Sequence, residues 1–268
     1  MTGWLGAAVA TLFAIGLGVL LIIRSRRARA LELALSRTTE NLEHIEQAFS
    51  RFAPQGVVEM FTSGEREIPP TRREVTVLFA DIVGFTQLSE SVDPTVLVPI
   101  LNDYFRRMTR VIRERHGHVS RIMGDGLMAL FGSLDTNRWQ AADAVQAALA
   151  MRSALEELNA ELREKSQLEL RIGVGIHQGD CVAAVIGSHD MMEFTVLGDP
   201  VNIAARVEAL TRTHQVDILV TAQIRDKLDE RFRLREMPAT LVKGKAEPVT
   251  TWAVEDFDAA RSTRRDDV

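Results

Sequence analysis

The sequence predicts an α/β sandwich of the α+β kind, in which helices pack on one side of a mainly antiparallel sheet. One transmembrane helix and a coiled-coil stalk are predicted to precede it. Three observations lead to this class. Apolar strand patterns alternate with helical patterns from Glu74 onward, Asp125-Gly126 separates two apolar runs as a hairpin turn does, and residues 4–23 contain no charge.

The uncharged segment 4–23 predicts a membrane anchor. At 1.5 Å per residue a helix of this length spans about 30 Å, the thickness of a bilayer's hydrocarbon core. Four arginines follow within residues 24–29, and arginines mark the cytoplasmic side of a span. A cleaved signal peptide is the alternative, but it would place its charges before a shorter apolar run. We therefore expect a single-pass protein of the cell membrane, with its N-terminus outside and everything after Arg24 in the cytoplasm.

Residues 24–56 combine this basic segment with a predicted dimeric stalk. Side chains recur at steps of four and three, which is the seam of a heptad repeat; the apolar ones are Leu31, Leu35, Leu42, Ile45, Phe49 and Phe52, and Thr38 fills the one polar slot. Pro54 and Gly56 end the pattern. A single amphipathic helix lying on the globular domain is the alternative. Residues 57–73 are predicted to be a linker, because they contain Ser63-Gly64 and Pro69-Pro70.

The composition excludes one class of function and favours one compartment. The net charge of −5 argues against a general nucleic-acid binder, which needs a basic face to neutralise phosphates. Cys181 is the only cysteine, so the chain cannot form an intrachain disulfide, as is usual in a reducing compartment.

The domain predicted over residues 74–257 alternates strands with helices. The predicted strands are 75–80, 118–123, 127–131, 168–176, 180–186, 194–197, 216–220 and 249–254. The predicted helices are 94–116, 137–165, one that Asp199 caps and Pro200 begins, and 221–229. The charged residues 258–268 are expected to be a disordered tail.

Two carboxylates stand where strands end. Asp81 closes the first strand and Asp125 lies at the hairpin tip. Each alone is more often a turn former. Together with an open backbone carbonyl and a glycine-containing turn with free N–H groups, they suit Mg²⁺ carrying a polyphosphate.

Two further elements carry polar groups that could contact a nucleotide. Asn202 and Arg206 are four residues apart and share one helix face, where they could contact a ribose and a phosphate. A solvated helix face is the alternative. Lys243 and Lys245 flank a glycine in a basic loop that could reach terminal phosphates or simply form a turn.

Three motifs together resemble the class III adenylyl and guanylyl cyclase domain. Residues 79–86 read FADIVGFT, residues 123–126 read MGDG and residues 195–206 read TVLGDPVNIAAR. The similarity spans roughly residues 72–255, with the motifs in the family's order and spacing. The resemblance implies a ferredoxin-like cyclase catalytic domain and conversion of ATP to cyclic AMP and pyrophosphate.

The resemblance also implies a role for each site residue. Asp81, Asp125 and the carbonyl of Ile82 would bind two Mg²⁺ or Mn²⁺ ions, and Arg206 would stabilise the α-phosphate. The remaining contacts to ATP would be Asn202 with the ribose, Thr195 with the base, and Gly84, Phe85, Thr86 and Lys243, or its rival Lys245, with the phosphates. In this family one protomer supplies the aspartates and its partner supplies Thr195, Asn202 and Arg206, so a homodimer is expected.

One position departs from the family's pattern. Adenylyl cyclases usually carry Lys, and guanylyl cyclases Glu, four residues before the second metal aspartate, where this chain has Arg121. Arginine only donates hydrogen bonds, so it can serve adenine N1 but not guanine's N–H groups. This favours ATP over GTP and leaves pyrimidine nucleotides open. An inactive cyclase-like domain that binds nucleotides or dimerises is the alternative from another class.

Overall fold

The computed structural model describes Thr39 and residues 69–135, 137–165, 168–188, 191–240 and 248–260. The chain divides into two units, Met1–Ala53 and Pro54–Val268. In the first, Thr39 alone is described, and it is helical. The predicted anchor, the stalk apart from Thr39, Lys243, Lys245 and tail residues 261–268 lie outside the described residues. None of the helices within the described ranges is long and apolar enough to cross a bilayer.

The second unit contains one mainly antiparallel sheet, as predicted. Its strands are β1 Thr71–Ile82, β2 His118–Met123, β3 Gly126–Phe131, β4 Ile172–Ser188, β5 Met191–Leu197, β6 Ile218–Thr221, β7 Phe232–Glu236 and β8 Thr251–Phe257. They lie in the order β2-β3-β1-β4-β6-β8-β7, and β5 pairs with β4 outside this order. Among these pairings only β4 with β6 is parallel.

Five helices accompany the sheet in the described part of this unit: α1 Phe85–Ser91, α2 Pro94–Arg113, α3 Gln140–Lys165, α4 Asp199–His214 and α5 Ala222–Arg225. The Asp93 side chain caps α2 by accepting a hydrogen bond from the backbone N–H of Thr95 at 2.8 Å. The prediction that Asp199 caps α4 is wrong. Gly198 occupies that position and Asp199 begins the helix, where its charge still favours the positive end of the helix dipole.

The prediction that all helices pack on one side of the sheet is also wrong. Buried side chains of α2 and α3, such as Met108 and Met151, pack with one set of strand residues that includes Leu78 and Ile176. In contrast, α4 lies on the opposite face, over Gly173 and Gly175 of β4. Two glycines at alternate positions remove the side chains from this face, and the helix backbone can therefore approach the strand closely.

β7 was not predicted, and several strand boundaries differ from the prediction, two of them for clear physical reasons. The segments 168–176 and 180–186 form one long strand, β4, which pairs with β1 from Ile172 to Ala183 without interruption. Gly179 does not break this strand but makes room for a helix residue, because a Cβ there would lie 2.7 Å from Cγ of Pro200. β1 begins at Thr71, three residues before the predicted start of the domain at Glu74, since its pairing with β4 extends that far.

Candidate active site

Asp81 and Asp125 lie together at one end of the sheet. Asp81 is the penultimate residue of β1, and Asp125 lies in the turn between β2 and β3. The pairing of β1 with β3 continues to Ala80 opposite Leu127, which places the turn beside Asp81. A Cβ on Gly126 would lie 2.9 Å from Oδ1 of Asp81. A larger residue at Gly126 would therefore press against the carboxylate of Asp81.

The negative charge of Asp81 acts on its neighbours Asp125 and Tyr104. Partial burial, and then the negative charge of Asp81, raise the pKa of Asp125. The hydroxyl of Tyr104 is buried and lacks a hydrogen-bond partner within the described ranges. Burial and the charges of Asp81 and Asp125 raise the pKa of this hydroxyl. Two hard carboxylate ligands and a nearby orphaned hydroxyl, which could bond to a metal-bound water, fit a divalent cation.

Arg212 and Glu208 of α4 complete the charge cluster, and the sequence did not single out either of them. The guanidinium of Arg212 donates a hydrogen bond to Oδ2 of Asp81. It also donates to both carboxylate oxygens of Glu208, at 3.0 and 3.3 Å. Burial raises the pKa of Glu208 to about 7, although the charge of Arg212 acts in the opposite direction. One cation thus joins two carboxylates at this end of the sheet.

The segment after Asp81 turns sharply into α1. Ile82 is the last residue of β1 and its side chain is buried, so a ligand could reach only its backbone. Gly84 has a φ of 75° and caps α1, which Phe85 and Thr86 begin. Gly84 and Thr86 are exposed and Phe85 is half-buried. The first backbone N–H groups of a helix have no partner within it, so this turn presents free donors next to the carboxylates.

Asn202 and Arg206 lie in the first two turns of α4, away from the end that contacts Asp81. Asn202 is exposed and Arg206 is half-buried, and neither side chain has a hydrogen bond or ion pair to another described residue. Because each residue advances a helix by about 100°, Arg206 and Glu208 point about 160° apart around its axis. The side of α4 that faces Asp81 therefore carries Glu208 and Arg212, not Asn202 and Arg206.

Arg121 and Thr195 line one cavity of about 470 Å³. The walls are largely apolar, and they are formed by Phe79, Met123, Met128, Ile186, Gly187, Val196, Leu197 and Val201. An apolar cavity with a few polar groups is suited to a flat heterocyclic base. The third polar residue in the cavity is Glu193, which the sequence did not single out.

Glu193 binds Arg121 through two hydrogen bonds. Nε of Arg121 donates to Oε1 at 2.7 Å, and Nη2 donates to Oε2 at 2.6 Å. This pairing raises the pKa of Arg121, so the guanidinium stays charged. The cavity therefore contains an acceptor as well as a donor, whereas Arg121 considered alone predicted a donor only.

Contacts between β2 and β5 hold this pair in place. The hydroxyl of Ser120 donates to the carbonyl of Phe194 at 3.1 Å. The ring of His118 packs at a tilt against Phe194, with 5.8 Å between the ring centroids. Both Arg121 and Glu193 lie one to three residues from these contacts, so they are positioned by two strands that are not neighbours in the main sheet order.

The structure thus forms two separate clusters from the predicted residues. Asp81, Asp125 and the turn 84–86 meet at one end of the sheet, while Arg121 and Thr195 meet in the cavity. Asn202 and Arg206 face away from the aspartates of their own chain. Lys243 lies outside the described residues and is assigned to neither cluster.

Comparison with known families decides the identity of this domain. The sequence profile of the adenylate and guanylate cyclase catalytic domain matches residues 69–256. The chain belongs to this family. An adenylate cyclase of Anabaena cylindrica is 32% identical over 251 residues, which are 89% of this chain and 48% of that protein. This cyclase chain therefore spans about half the length of that relative.

Solved cyclases share the fold. The adenylyl cyclase CyaB from P. aeruginosa is 29% identical, with a TM-score of 0.68 over 73% of this chain and 100% of that chain. The guanylyl cyclase Cya2 is 30% identical, with a TM-score of 0.68 over 73% and 98% of the two chains. The cyclase fold expected from the motifs is therefore confirmed. An adenylyl and a guanylyl cyclase are thus about equally similar to this chain.

Simple periodicity in this cyclase sequence could have found three of the residues that were missed. Glu193 lies two positions before Thr195, and alternate residues of a strand share a face. Arg212 follows Glu208 by four positions, so the two share a helix face. No comparable pattern marks Tyr104, whose neighbours depend on how α2 packs against the end of the sheet.

Proposed function

We propose that this chain is an adenylyl cyclase that converts ATP to 3′,5′-cyclic AMP and pyrophosphate at composite sites of a homodimer. One observation carries the proposal. The side of α4 that reaches Asp81 carries Arg212, and the Asn202 and Arg206 pair faces elsewhere. The residues that would bind metal and those that would contact the ribose and the α-phosphate are both present in one chain, but they do not lie together in it. A second copy would bring Asn202 and Arg206 to Asp81 and Asp125.

Each residue then has one task in the attack of the ribose 3′-oxygen on the α-phosphorus. Asn202 holds the ribose so that the 3′-oxygen faces the phosphorus. Arg206 places a fixed positive charge where negative charge develops on the α-phosphate as the bond to pyrophosphate breaks. One such preorganised group typically contributes a factor of about 10²–10³ in rate. The turn 84–86 and Lys243 hold the phosphates.

Class III cyclases use divalent metal ions, and Asp81, Asp125 and the carbonyl of Ile82 are the residues that would hold them here. We propose two Mg²⁺ or Mn²⁺ ions per site. When bound, such ions lower the pKa of the attacking hydroxyl and stabilise charge on the phosphates. Asp81 and Asp125 supply the hard oxygen ligands that these ions prefer.

The cavity supports adenine as the base. Adenine presents an amino donor beside a ring-nitrogen acceptor. Glu193 can accept from the amino group while a remaining N–H of Arg121 donates to the ring nitrogen. Thr195 lies in the same cavity and its hydroxyl can donate or accept. The apolar walls would stack on the rest of the purine.

Glu193 also favours a second candidate, which is a cyclase for another nucleotide. A carboxylate can accept from the N–H groups of guanine, and an adjacent arginine can donate to the guanine carbonyl oxygen. Cytosine presents the same donor and acceptor order as adenine. The same cavity could therefore serve GTP or a pyrimidine nucleotide, and the charge of Arg121 alone does not exclude them.

Turnover of the four nucleotides tests the proposal. The full chain is incubated with ATP, GTP, CTP or UTP and Mg²⁺ or Mn²⁺, and cyclic nucleotide and pyrophosphate are measured. We expect cyclic AMP and the highest kcat/KM for ATP. Preference for another nucleotide would overturn the adenylyl assignment and keep the cyclase. No product from any nucleotide, with binding intact, would favour an inactive domain that only binds nucleotides or dimerises.

We also propose that residues 4–23 anchor the chain in the cell membrane with the catalytic domain in the cytoplasm, and that residues 24–56 form a dimeric stalk. Deleting residues 1–30 should release the protein from the membrane fraction with little loss of activity. Deleting residues 1–56 should in addition lower activity per protomer on dilution, because a shared site exists only while two chains are associated. Activity that stayed constant on dilution of the shorter protein would contradict a role for the stalk.

A further inference from the structure

We infer that Arg212 is the counter-ion of Asp81 in the metal-free protein and that a divalent cation must displace it from Asp81. This inference rests on the proposed function, because it requires the metal site at Asp81 and Asp125. It assigns Arg212 a role of its own: Arg212 sets the metal affinity of the site and does not touch the substrate.

The contacts of Arg212 bridge the site. Its guanidinium donates to Oδ2 of Asp81 and to both oxygens of Glu208. The side chain of Glu208 is only 10% exposed, whereas those of Arg212 and Asp81 are 38% and 32% exposed. Glu208 is therefore the more enclosed partner and Asp81 the one that solvent ions can reach.

Close packing fixes the part of α4 that carries Arg212. Gly173 lies opposite Asp81 in the pairing of β4 with β1. A Cβ on Gly173 would lie 2.3 Å from Oγ1 of Thr211, the residue before Arg212. The helix backbone thus cannot move toward the sheet, and a change of partner must occur through the long side chain of Arg212.

Charge makes Arg212 and a metal ion competitors. The positive charge of Arg212 acts on Asp125 as well as on its direct partners Asp81 and Glu208. A divalent cation at Asp81 would lie within a few ångströms of the guanidinium, and like charges at that distance repel. Arg212 can leave Asp81 without losing all its partners, since it already contacts Glu208. The side chain of Arg212 can therefore adopt two arrangements: it contacts Asp81 and Glu208 without metal, and Glu208 alone when metal is bound.

A purely orienting role of Arg212, in which it only positions Asp81 for the metal, would have the opposite effect on metal affinity. If Arg212 held Asp81 in the geometry that the metal needs, removing Arg212 would weaken metal binding. If Arg212 competes, removing its charge strengthens metal binding. The sign of the change in affinity therefore separates the two roles.

Mn²⁺ binding without nucleotide measures this sign. The full chain is titrated with Mn²⁺, and free Mn²⁺ is followed by electron paramagnetic resonance for the parent, Arg212→Gln and Arg212→Lys. Because exposed ion pairs are weak, we expect Arg212→Gln to bind Mn²⁺ on the order of fivefold more tightly. Arg212→Lys keeps the charge and should stay close to the parent. Without metal, Arg212→Gln should melt at a lower temperature, and Mn²⁺ should raise its melting temperature more than that of the parent.

Two controls make the result decisive. Arg163 of α3 pairs with Glu169 at 3.2 Å. Arg163→Gln removes this other arginine and should leave Mn²⁺ affinity unchanged. Asp125→Ala should abolish the binding that the titration detects. If Asp125→Ala leaves it unchanged, the metal site fails, and the proposed function and this inference fail together. If Asp125→Ala abolishes it but Arg212→Gln binds Mn²⁺ equally or more weakly, only the inference is overturned.

Discussion

Glu193 of β5 accepts two hydrogen bonds from the guanidinium of Arg121 on β2, at 2.7 and 2.6 Å. Both residues line the cavity that also contains Thr195. Arg121 is thereby fixed in orientation, and a carboxylate acceptor stands beside it. We therefore expect the selectivity of the proposed base cavity to depend on this pair and not on Arg121 alone.

Reversing the charge of Arg121 should damage ATP use. In Arg121→Glu a second carboxylate would face Glu193 and the ring nitrogen of adenine, which is itself an acceptor. An unpaired buried polar group costs about 1–3 kcal/mol, and more when it is charged, so kcat/KM for ATP should fall at least tenfold. The measurement is kcat/KM for all four nucleotides.

Two further variants control for this result. Arg121→Lys retains a donor and should keep ATP as the preferred substrate, with a modest change in rate because the bidentate fork is lost. The exchange Arg121→Glu with Glu193→Arg restores the ion pair and should recover part of the lost activity. An unchanged ATP value in Arg121→Glu would show that this pair does not contact the base.

Removing one of the two proposed metal-binding carboxylates should lower turnover without lowering the stability of the domain. Asp125→Asn replaces a carboxyl group whose pKa is raised by burial and by the charge of Asp81. Turnover should fall more than tenfold, because a hard ligand is lost. The metal-free protein should unfold no more easily, since the repulsion between Asp81 and Asp125 is relieved. Asp81→Ala should likewise abolish turnover without unfolding the domain. Turnover above about a tenth of the parent in either variant would contradict the metal assignment.

The stability of the domain should depend on the protonation of His118. Burial lowers the pKa of His118 to about 4, although the residue keeps some accessible surface. The unfolded chain takes up the proton near pH 6.5, so the free energy of unfolding should fall as the pH drops from 6.5 to 4, by up to roughly 3 kcal/mol. His118→Leu should lack this part of the pH dependence.

The quantity to measure is the difference in unfolding free energy between the parent and His118→Leu, by urea unfolding at pH 7.5 and pH 4.5. The raised pKa of Glu208 acts in the opposite sense, since its contribution to stability is lost as the pH rises from about 4.5 to 7, but it is present in both proteins and cancels. A difference in unfolding free energy that is the same at both pH values would contradict the effect of His118.

The close approach of α4 to the sheet should tolerate no side chain at Gly175. A Cβ there would lie 2.1 Å from the backbone nitrogen of Glu208 and 2.6 Å from the carbonyl oxygen of Ala204. Gly175→Ala should therefore cost about 3 kcal/mol of unfolding free energy, at the upper end for overpacking. Ala209→Ser, on the exposed side of α4, should change it by less than about 0.5 kcal/mol. A stable Gly175→Ala protein would contradict this position of α4.

Local patterns predicted most of the fold, because hairpins and helix starts depend on neighbouring residues. β2, β3 and the Asp125 turn follow from alternation and Asp-Gly chemistry, and Asp93 and Pro94 begin α2 as helix-start signals do. The face that α4 covers was missed, since Gly173 and Gly175 indicate close packing but do not say which helix fills the space.

The composition of the site was less predictable, because its charges pair across the sheet. Arg212 meets Asp81, 131 residues away in the chain, and Glu193 meets Arg121, 72 residues away. Periodicity places Glu193 on the strand face of Thr195 and Arg212 on the helix face of Glu208, but it does not predict the distant residue with which each one pairs. Asp81, Asp125, Asn202 and Arg206 were singled out by their places at strand ends and on one helix face, and the roles that the family motifs imply for them stay predictions.

Complementation between two inactive variants tests the shared site most directly. Asp81→Ala removes the metal half and Arg206→Ala the phosphate half, so each protein alone should be inactive. After subunit exchange in an equal mixture, half of the dimers are mixed, and each contains one intact site of two. Activity should therefore return to about a quarter of the parent. A mixture of Asp81→Ala with Asp125→Ala, whose lesions lie in the same half, should stay inactive. If the first mixture also stays inactive although mixed dimers form, the two halves of the site do not come from two chains.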